Sequence, residues 1–416
     1  MKKILVYLEP HPIRNTMIAF EGVLMKFVRL MSKENRENFK FYASSALIGQ
    51  VSKAEYFEEF REHLVSPTPA EDALFNSHMV KWDDKGMKVW MELMNGGKVS
   101  KKYEMLICRL HERYDFDYII HWGTNMAVKT AAARLNVGYI DMELGCSRLP
   151  FMDSLVMDPW GVNGASSISQ SVCSDFDAVK ESDAYDDFLT ECEGSSGYEA
   201  GFVPVYQHEL LKLVGKPKVA FIPLQLYDDA NLLQYSPYDE VINVLEDILP
   251  RLHAAGYTCV IKEHPASSIR RGSALANKKA YDYAMQFDNV MWLDEKYKEI
   301  SNVFLFRLAE LIITVNSSTG FEALYYEKPV VVLGEAVYKP AGVFPTLDEY
   351  LRGDFSYDKY KRATARIRNF FLKHYLLRND VLQNWNKFIS MVQFVGDMSR
   401  ENLSTGEIVK RYYEHS

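Results

Sequence analysis

The sequence contains little cysteine and no cysteine pair at metal-site spacing. Five cysteines occur in 416 residues, and no two of them form a CxxC motif; they are Cys108, Cys146, Cys173, Cys192 and Cys259. An odd count without paired spacing argues against a disulfide framework and against a cysteine-based zinc site. Free thiols are typical of a reducing compartment, so we expect the protein to be cytoplasmic.

Long apolar runs are also missing. No stretch of the roughly 18 apolar residues needed to span a bilayer occurs. The apolar run that follows Lys3 stops at Glu9, too early for the core of a signal peptide, and is typical of a first β-strand. We therefore expect no membrane-spanning helix.

Positive charge and phosphate-binding motifs are scarce as well. The chain has 48 Lys and Arg against 56 Asp and Glu, a net charge of −8, which makes it a poor candidate for duplex nucleic acid. Neither a Walker A loop nor a GxGxxG motif is present. With 48% hydrophobic and 25% charged residues, the composition is that of a globular protein and excludes a disordered chain.

Two blocks of alternating strand and helix patterns predict an α/β protein with two parallel-sheet domains. The first domain is predicted at 1–204, with an insertion at about 52–105, and a linker is expected around 201–205. The second domain is predicted at 205–385, and a helical segment at 386–416 is expected to cross back to the first. Ligands of such sheets bind beyond the carboxyl ends of the strands, so polar residues directly after a strand are site candidates.

Nine strands and several helices are predicted from the apolar patterns. The strands are placed at 3–8, 39–42, 118–121, 137–142, 218–224, 257–262, 290–293, 311–315 and 329–333. A helix at 124–135 is expected to have Thr124 as its N-cap, and one at 238–255 to end at Gly256. Residues 158–174 are expected to be loops, and 358–395 to be a long helical stretch.

Two strand ends carry carboxylates. Glu143 follows the strand at 137–142, where it is placed to accept a proton from a hydroxyl or to form an ion pair with Arg148. Gln225, Asp228 and Asp229 follow the strand at 218–224. The two aspartates are not a DxD pair, and N-capping of the next helix explains at least one of them.

Two further strand ends suit an anionic ligand. Lys262 and His264 alternate at the end of a strand, so we expect them to face the same side. The strand at 311–315 runs into the polar turn 316–320, which precedes a helix containing Glu322. Hydroxyls and amides at such a turn bind phosphate, although a plain helix cap explains one hydroxyl. The pair His121 and Trp122 forms a weaker candidate, for sugar contact or for packing.

Several of these strings, taken in order, resemble one known family. They are ELGCSR (143–148), GVNGAS (161–166), PLQLYDDANLLQYSPY (223–238), KEHP (262–265), VNSSTGFEAL (315–324) and KPVVVLGEAVY (328–338). This set resembles the capsule polysaccharide biosynthesis family of retaining β-Kdo glycosyltransferases. The chain has KEHP at 262–265, where a smaller residue or proline is expected before His264. The acceptor region, 52–105 and 149–160, matches nothing that we can align.

The resemblance implies a GT-B-like fold, with two Rossmann-like domains facing across a cleft. It implies transfer of β-Kdo from CMP-β-Kdo to a sugar hydroxyl with retention of configuration, without a metal or other cofactor. A double displacement would use Asp229 as nucleophile and Glu143 as base, with His264 also catalytic. The residues expected to bind the donor are Gln225, Lys262, Asn316, Ser317, Ser318, Thr319, Gly320 and Glu322. The residues expected to contact acceptor or donor are His121, Trp122, Arg148, Asn163 and Asp228.

The implied partners are CMP-Kdo and a glycan or glycolipid acceptor of a bacterial capsule or lipopolysaccharide O-antigen. A glycolipid acceptor would bring the enzyme to the inner membrane face or to a larger polysaccharide synthase. The basic segment 357–378 is a candidate for that contact, although packing as a crossing helix on the first domain is favoured. Two other classes stay open: a GT-B-type UDP-sugar epimerase or transferase, and a non-catalytic glycan-binding module.

Overall fold

The computed structural model describes most of the chain, and these residues form two compact units. The described residues are 2–8, 22–27, 38–52, 57–78, 84–181, 189, 192, 210, 212–269, 272–297 and 300–415. Unit 1 comprises Met1–Leu144, Leu155–Ser167 and Leu377–Ser404, and unit 2 comprises Gly145–Ser154, Ile168–Leu376 and Thr405–Ser416. The linker predicted around 201–205 lies outside the described residues, and the domain boundaries at 204 and 385 stay predictions.

Unit 1 is built on a seven-stranded sheet in the order β12-β6-β5-β4-β1-β2-β3. Its strands are β1 (Ile4–Leu8), β2 (Phe39–Ala43), β3 (Leu64–Val65), β4 (Tyr118–Trp122), β5 (Gly138–Leu144), β6 (Ser154–Asp158) and β12 (Leu377–Arg378). Every residue of β1 is buried, as expected for the central strand of a parallel sheet covered on both faces. The pairs from β3 through β5 are parallel, and β6 runs antiparallel to β5.

Helices pack against this sheet through their apolar faces. They are Ser45–Val51, Phe57–Phe60, Pro69–His78, Asp84–Asn95, Lys98–Tyr114, Met126–Leu135 and Trp385–Met398. In Lys98–Tyr114 the buried side chains recur at helical spacing and join the core formed with the sheet. The N-cap of Met126–Leu135 is Asn125, whose side chain accepts from the backbone of Ala127 at 2.8 Å, so the prediction of Thr124 was wrong.

Unit 2 is built on a five-stranded, fully parallel sheet in the order β11-β10-β7-β8-β9. Its strands are β7 (Val219–Pro223), β8 (Thr258–Lys262), β9 (Val290–Leu293), β10 (Leu311–Thr314) and β11 (Val330–Val332). The chain places β8 and β9 on one side of β7, then returns to place β10 and β11 on the other. The direction of winding therefore reverses between β7 and β10, the position where doubly wound sheets bind ligands.

The helices of unit 2 follow the β-α-β order. They are Ala230–Gln234, Val241–Ala254, Ser273–Ala284, Asn302–Leu308, Ser318–Ala323, Leu347–Arg352, Tyr357–Phe370 and Thr405–His415. Val241–Ala254 ends before Gly256, whose φ of +76° is the left-handed conformation that favours glycine after a helix. The predicted α/β class with two parallel-sheet units is confirmed.

Two further sequence predictions about secondary structure differ from the structure. Strand β6 lies in a stretch where no strand was predicted, because its run SLVMD is short and follows directly on a loop. The long helix predicted at 358–395 is interrupted by a π-helical turn at Phe371–Tyr375 and by β12. Residues 357–376 belong to unit 2, and packing of this segment on the first domain stays a prediction. None of the helices in the described ranges is long and apolar enough to cross a membrane.

Candidate functional site

The winding reversal of unit 2 is occupied by two buried amide side chains. Gln225 lies two residues beyond β7, and Asn316 lies two residues beyond β10. The Gln225 side-chain nitrogen donates to Oδ1 of Asn316 at 2.7 Å, and both residues are at least nine-tenths buried. Nδ2 of Asn316 in turn donates to the backbone carbonyls of Asn231 at 2.8 Å and Tyr235 at 3.3 Å. These bonds fix the orientation of both amides.

The same bonds position the short helix Ala230–Gln234, which follows Asp229. Oδ1 of Asp229 accepts from the backbone nitrogen of Asn231 at 2.9 Å, so Asp229 is the N-cap of this helix. One end of the helix is thus capped by Asp229, and its carbonyls are held by Asn316. The sequence predicted that one of the two aspartates caps this helix, and the structure shows that it is Asp229. The neighbouring Asp228 is buried.

Lys262 is directed into the protein rather than towards solvent. Its ammonium group donates to the carbonyl of Ile300 and, at 3.1 Å, to Oδ1 of Asn302. Nδ2 of Asn302 lies 3.5 Å from Oγ1 of Thr319. Asn302 therefore joins the end of β8 to the turn after β10, and Lys262 places a buried positive charge behind that turn.

His264, two residues after Lys262, is half-buried and has one ring nitrogen committed to the backbone. Its Nδ1 accepts from the backbone nitrogen of Ala266 at 3.0 Å. In the neutral ring the hydrogen then resides on Nε2, which is the tautomer able to donate to an anionic ligand.

The turn that begins at Asn316 is held from both sides. Ser317 is the N-cap of Ser318–Ala323, and its carbonyl accepts from the Tyr338 hydroxyl at 2.6 Å. A Cβ at Gly320 would collide with that hydroxyl and lie 2.8 Å from Cγ2 of Thr314. Glycine is required there by the close approach of Tyr338. Ser318, the first residue of this helix, is half-buried.

Glu322 does not face solvent at this turn. It is 5% exposed, and its Oε1 accepts from the backbone nitrogen of Arg148 at 3.1 Å. Burial raises the pKa of Glu322 to about 8, an effect that the charge of Arg148 opposes. One turn later, Tyr325 donates to the hydroxyl of Ser147 at 2.8 Å. The segment Gly145–Ser154 is therefore fastened to the helix that follows the polar turn.

In unit 1, Glu143 lies within β5 rather than after a strand. It pairs with Val156 of β6, so the predicted strand end at residue 142 was wrong because the sequence did not show β6. Glu143 is half-buried, and its Oε1 accepts from the backbone nitrogen of Leu144 at 2.9 Å. Strand β6 pairs with β5 as far as Leu144, so β5 extends beyond the apolar run at 137–142.

The weaker candidates of unit 1 lie close to the same sheet edge. His121 is 1% exposed, with Nδ1 3.1 Å from the carbonyl of Gly123 and 3.6 Å from a carboxylate oxygen of Asp141. Burial raises the pKa of Asp141, and His121 opposes that shift. Trp122 and Asn163 are half-buried, and Asn163 has a φ of +55°. His121 is thus a packed residue of the sheet in this structure.

Sequence reasoning missed three residues that hold the site together: Asn302, Tyr338 and Ser147. Asn302 is the first residue of the helix Asn302–Leu308. Tyr338 closes the string KPVVVLGEAVY, and Ser147 lies inside ELGCSR, so both belong to the strings that carry the family resemblance. Their roles depend on contacts across 17 or more positions of the sequence, which no local pattern reveals. Among the described residues, no group of three His, Cys, Asp or Glu side chains is arranged to hold a metal ion.

The geometry defines unit 2 as a doubly wound α/β unit with a polar site at its winding reversal. Residues 207–377, which contain this entire polar edge, match the family described as capsule polysaccharide biosynthesis protein. The resemblance inferred from the sequence strings is confirmed for this part of the chain.

Individual proteins similar to the chain fall into two groups. The capsule polysaccharide export protein KpsS of Escherichia coli is 26% identical over 141 residues, which is 32% of this chain and 35% of KpsS. The chain thus spans about a third of the length of that relative. Among solved structures, Thermosulfurimonas dismutans KpsC, beta Kdo 2,7 transferase, is 17% identical with a TM-score of 0.36, covering 85% of this chain and 99% of KpsC. UDP-GlcNAc 2-epimerase from Neisseria meningitidis is 13% identical with a TM-score of 0.34, covering 94% of this chain and 98% of the epimerase.

Proposed function

We propose that the protein is a glycosyltransferase of capsule or related surface polysaccharide synthesis that transfers β-Kdo from CMP-β-Kdo with retention of configuration. The observation that carries this proposal is the linked polar edge of unit 2. There, residues at the carboxyl ends of β7, β8 and β10 are joined by hydrogen bonds through Asn316 and Asn302. All of them lie inside the matched segment 207–377.

The chemistry of this edge supports a donor with two anionic groups. CMP-Kdo carries a phosphate and a carboxylate beside its anomeric carbon. His264 with its hydrogen on Nε2, together with Ser318, supplies donors to such groups, and the buried Lys262 adds a positive field behind the turn. Preorganised donors of this kind stabilise a departing phosphate because the protein need not reorganise during the reaction. In this proposal the enzyme uses no metal.

The reaction proceeds in two displacements. A carboxylate oxygen of Asp229 attacks the anomeric carbon, the bond from that carbon to the CMP phosphate oxygen breaks, and CMP leaves with the electron pair. The acceptor hydroxyl oxygen then attacks the same carbon, the carboxylate leaves with its pair, and Glu143 takes the hydroxyl proton. Two inversions give net retention.

The covalent intermediate provides the test. Glu143→Gln keeps the shape of the base but does not accept the proton, so the intermediate should accumulate when CMP-Kdo is supplied. Intact-mass analysis should then show one Kdo residue added to the Glu143→Gln protein and none added to Glu143→Gln/Asp229→Asn. If CMP is released and Kdo transferred without any protein adduct, a same-face attack replaces the double displacement. If CMP-Kdo is neither bound nor consumed while UDP-sugars are, the donor assignment is wrong.

A further inference from the structure

A strongly basic surface lies on one helix of unit 1. In Lys98–Tyr114, the buried residues are Ser100, Tyr103, Leu106, Ile107 and Leu110. The exposed residues of the same helix are Lys98, Lys101, Lys102, Met105, Arg109, Glu112 and Arg113. At 3.6 residues per turn these seven positions fall within an arc of about 120°, which we call the basic face.

The charge of the basic face is opposite to that of the whole protein. Five cations and one carboxylate give it a net charge of +4, whereas the chain carries −8. In the part of the chain that the structure describes, Arg113 pairs with the buried Glu71 at 2.6 Å, but Lys102 and Arg109 have no carboxylate within 4.0 Å. Concentrating unpaired cations on one face of an acidic protein favours binding to a polyanion.

An apolar element lies in the middle of this charge. Met105 is 56% exposed and stands between Lys102 and Arg109, one turn from each. A groove of about 640 Å³ runs alongside, and its lining includes Leu74 and Ala70 from the helix Pro69–His78. Long cationic side chains around an exposed apolar one suit contact with anionic headgroups, because the cations pair with lipid phosphates while the apolar side chain enters the headgroup layer.

The length of the face also suits an extended surface. The 17 residues of the helix span about 25 Å at 1.5 Å per residue, so its cations can contact several lipid headgroups at once. A single small anion would engage only one or two of them. We propose that the basic face docks unit 1 on a membrane surface containing anionic phospholipids. This inference does not depend on the proposed transferase activity.

Vesicle flotation tests the proposal with a matched pair of variants. Lys102→Glu/Arg109→Glu reverses two charges of the basic face, and Lys359→Glu/Arg362→Glu reverses two exposed cations of the basic segment 357–378 in unit 2. Each cation near an anionic surface raises the partition coefficient on the order of fivefold. With vesicles containing about 30% phosphatidylglycerol, the first variant should therefore partition at least about tenfold more weakly than wild type. The second variant should partition within about threefold of wild type. Neutral phosphatidylcholine vesicles should bind none of the three proteins.

Further measurements keep the test decisive. Binding should weaken as salt rises from about 50 to 300 mM, because screening shortens the range of the attraction. Circular dichroism and thermal unfolding should match wild type, since the reversed residues are exposed. An equal loss in both double variants would mean that net charge alone controls binding. Undiminished binding of Lys102→Glu/Arg109→Glu, or no binding of wild type to anionic vesicles, would overturn the proposal.

Discussion

The side-chain nitrogen of Gln225 donates to Oδ1 of Asn316 across the point where the sheet of unit 2 reverses its winding. The bond is 2.7 Å long and buried, and it joins residues that are 91 positions apart in the sequence. Through Asn316 it also reaches the carbonyls of the short helix that begins after Asp229. The polar edge of unit 2 is therefore one connected structure rather than a set of separate strand ends.

Breaking the hydrogen bond between Gln225 and Asn316 should lower the free energy of unfolding. In Gln225→Glu a carboxylate oxygen replaces the donor and faces Oδ1 of Asn316, so we expect a loss of about 1–3 kcal/mol in the free energy of unfolding. In Asn316→Ala, the carbonyls of Asn231 and Tyr235 also lose one of their donors, although each keeps a backbone donor. A double-mutant cycle of Gln225→Ala and Asn316→Ala, measured by urea unfolding, should give a coupling of about 0.5–3 kcal/mol. Purely additive losses would show that the bond does not contribute.

Lys262 should behave as a structural cation. Lys262→Met leaves the carbonyl of Ile300 and Oδ1 of Asn302 without their donor, so we expect a loss of about 1–3 kcal/mol in the free energy of unfolding. The exposed Lys278→Met in the same unit is the control and should change stability by less than about 0.5 kcal/mol. Asn302→Asp keeps an acceptor for Lys262 and should retain more stability than Asn302→Leu. If Lys262→Met is as stable as its control, these contacts do not hold the turn.

Asp229 has a capping role that can be separated from its proposed chemistry. Asn and Ser cap helices about as well as Asp, whereas Ala does so less well by roughly 1 kcal/mol. Asp229→Asn and Asp229→Ser should therefore unfold like wild type and yet lose more than about 1000-fold in the rate of Kdo transfer, as removal of a nucleophile requires. Asp229→Ala should lose both. Transfer by Asp229→Asn at more than a tenth of the wild-type rate would leave Asp229 with the capping role alone.

Glu322 should make the stability of unit 2 depend on pH. Burial raises its folded pKa to about 8 from an ordinary 4.5, so the native state keeps a proton that the unfolded chain releases. The free energy of unfolding should then fall as pH rises from about 5 to 8, by up to about 1.4 kcal/mol per pH unit. Glu322→Gln keeps an acceptor for the backbone of Arg148 without this titration, so its urea-unfolding curves should vary less over that range. The exposed Glu246→Gln should follow wild type. Parallel profiles for Glu322→Gln and wild type would contradict this origin of the pH dependence.

The strands could be predicted from the sequence because each is a short, continuous apolar run in a parallel sheet. The runs ILVYL and VAFIP are buried on both faces of their sheets, and such short continuous apolar runs are typical of strands in parallel sheets. Strand β6 was not predicted because it pairs antiparallel at the end of a loop and has no helix before it. For the same reason the sequence predicts that β5 ends at residue 142, whereas in the structure Glu143 lies within β5.

The sequence predicts which residues line the polar edge of unit 2, but it does not predict the direction of their side chains. The rule that ligands bind beyond strand ends picked out Gln225, Lys262 and Asn316. Alternation along a strand predicted that Lys262 and His264 face the same side, yet it could not show that Lys262 is held by Ile300 and Asn302, 38 and 40 positions away. Nor could it show that Glu322 is covered by the segment containing Arg148, because that contact joins parts of the chain 174 positions apart.

Thermal stabilisation by nucleotides tests the donor assignment most directly. The protein is unfolded by heat in the presence of CMP, UMP, UDP and GDP, and a ligand at about 100 times its dissociation constant should add roughly 2.7 kcal/mol of stability. We expect CMP to stabilise the protein, UDP to do so much less, and the CMP effect to diminish in His264→Ala and Ser318→Ala. Stabilisation by UDP in preference to CMP would contradict the assignment of a CMP-sugar donor and favour a UDP-sugar enzyme. No stabilisation by any nucleotide would favour a glycan-binding module without catalysis.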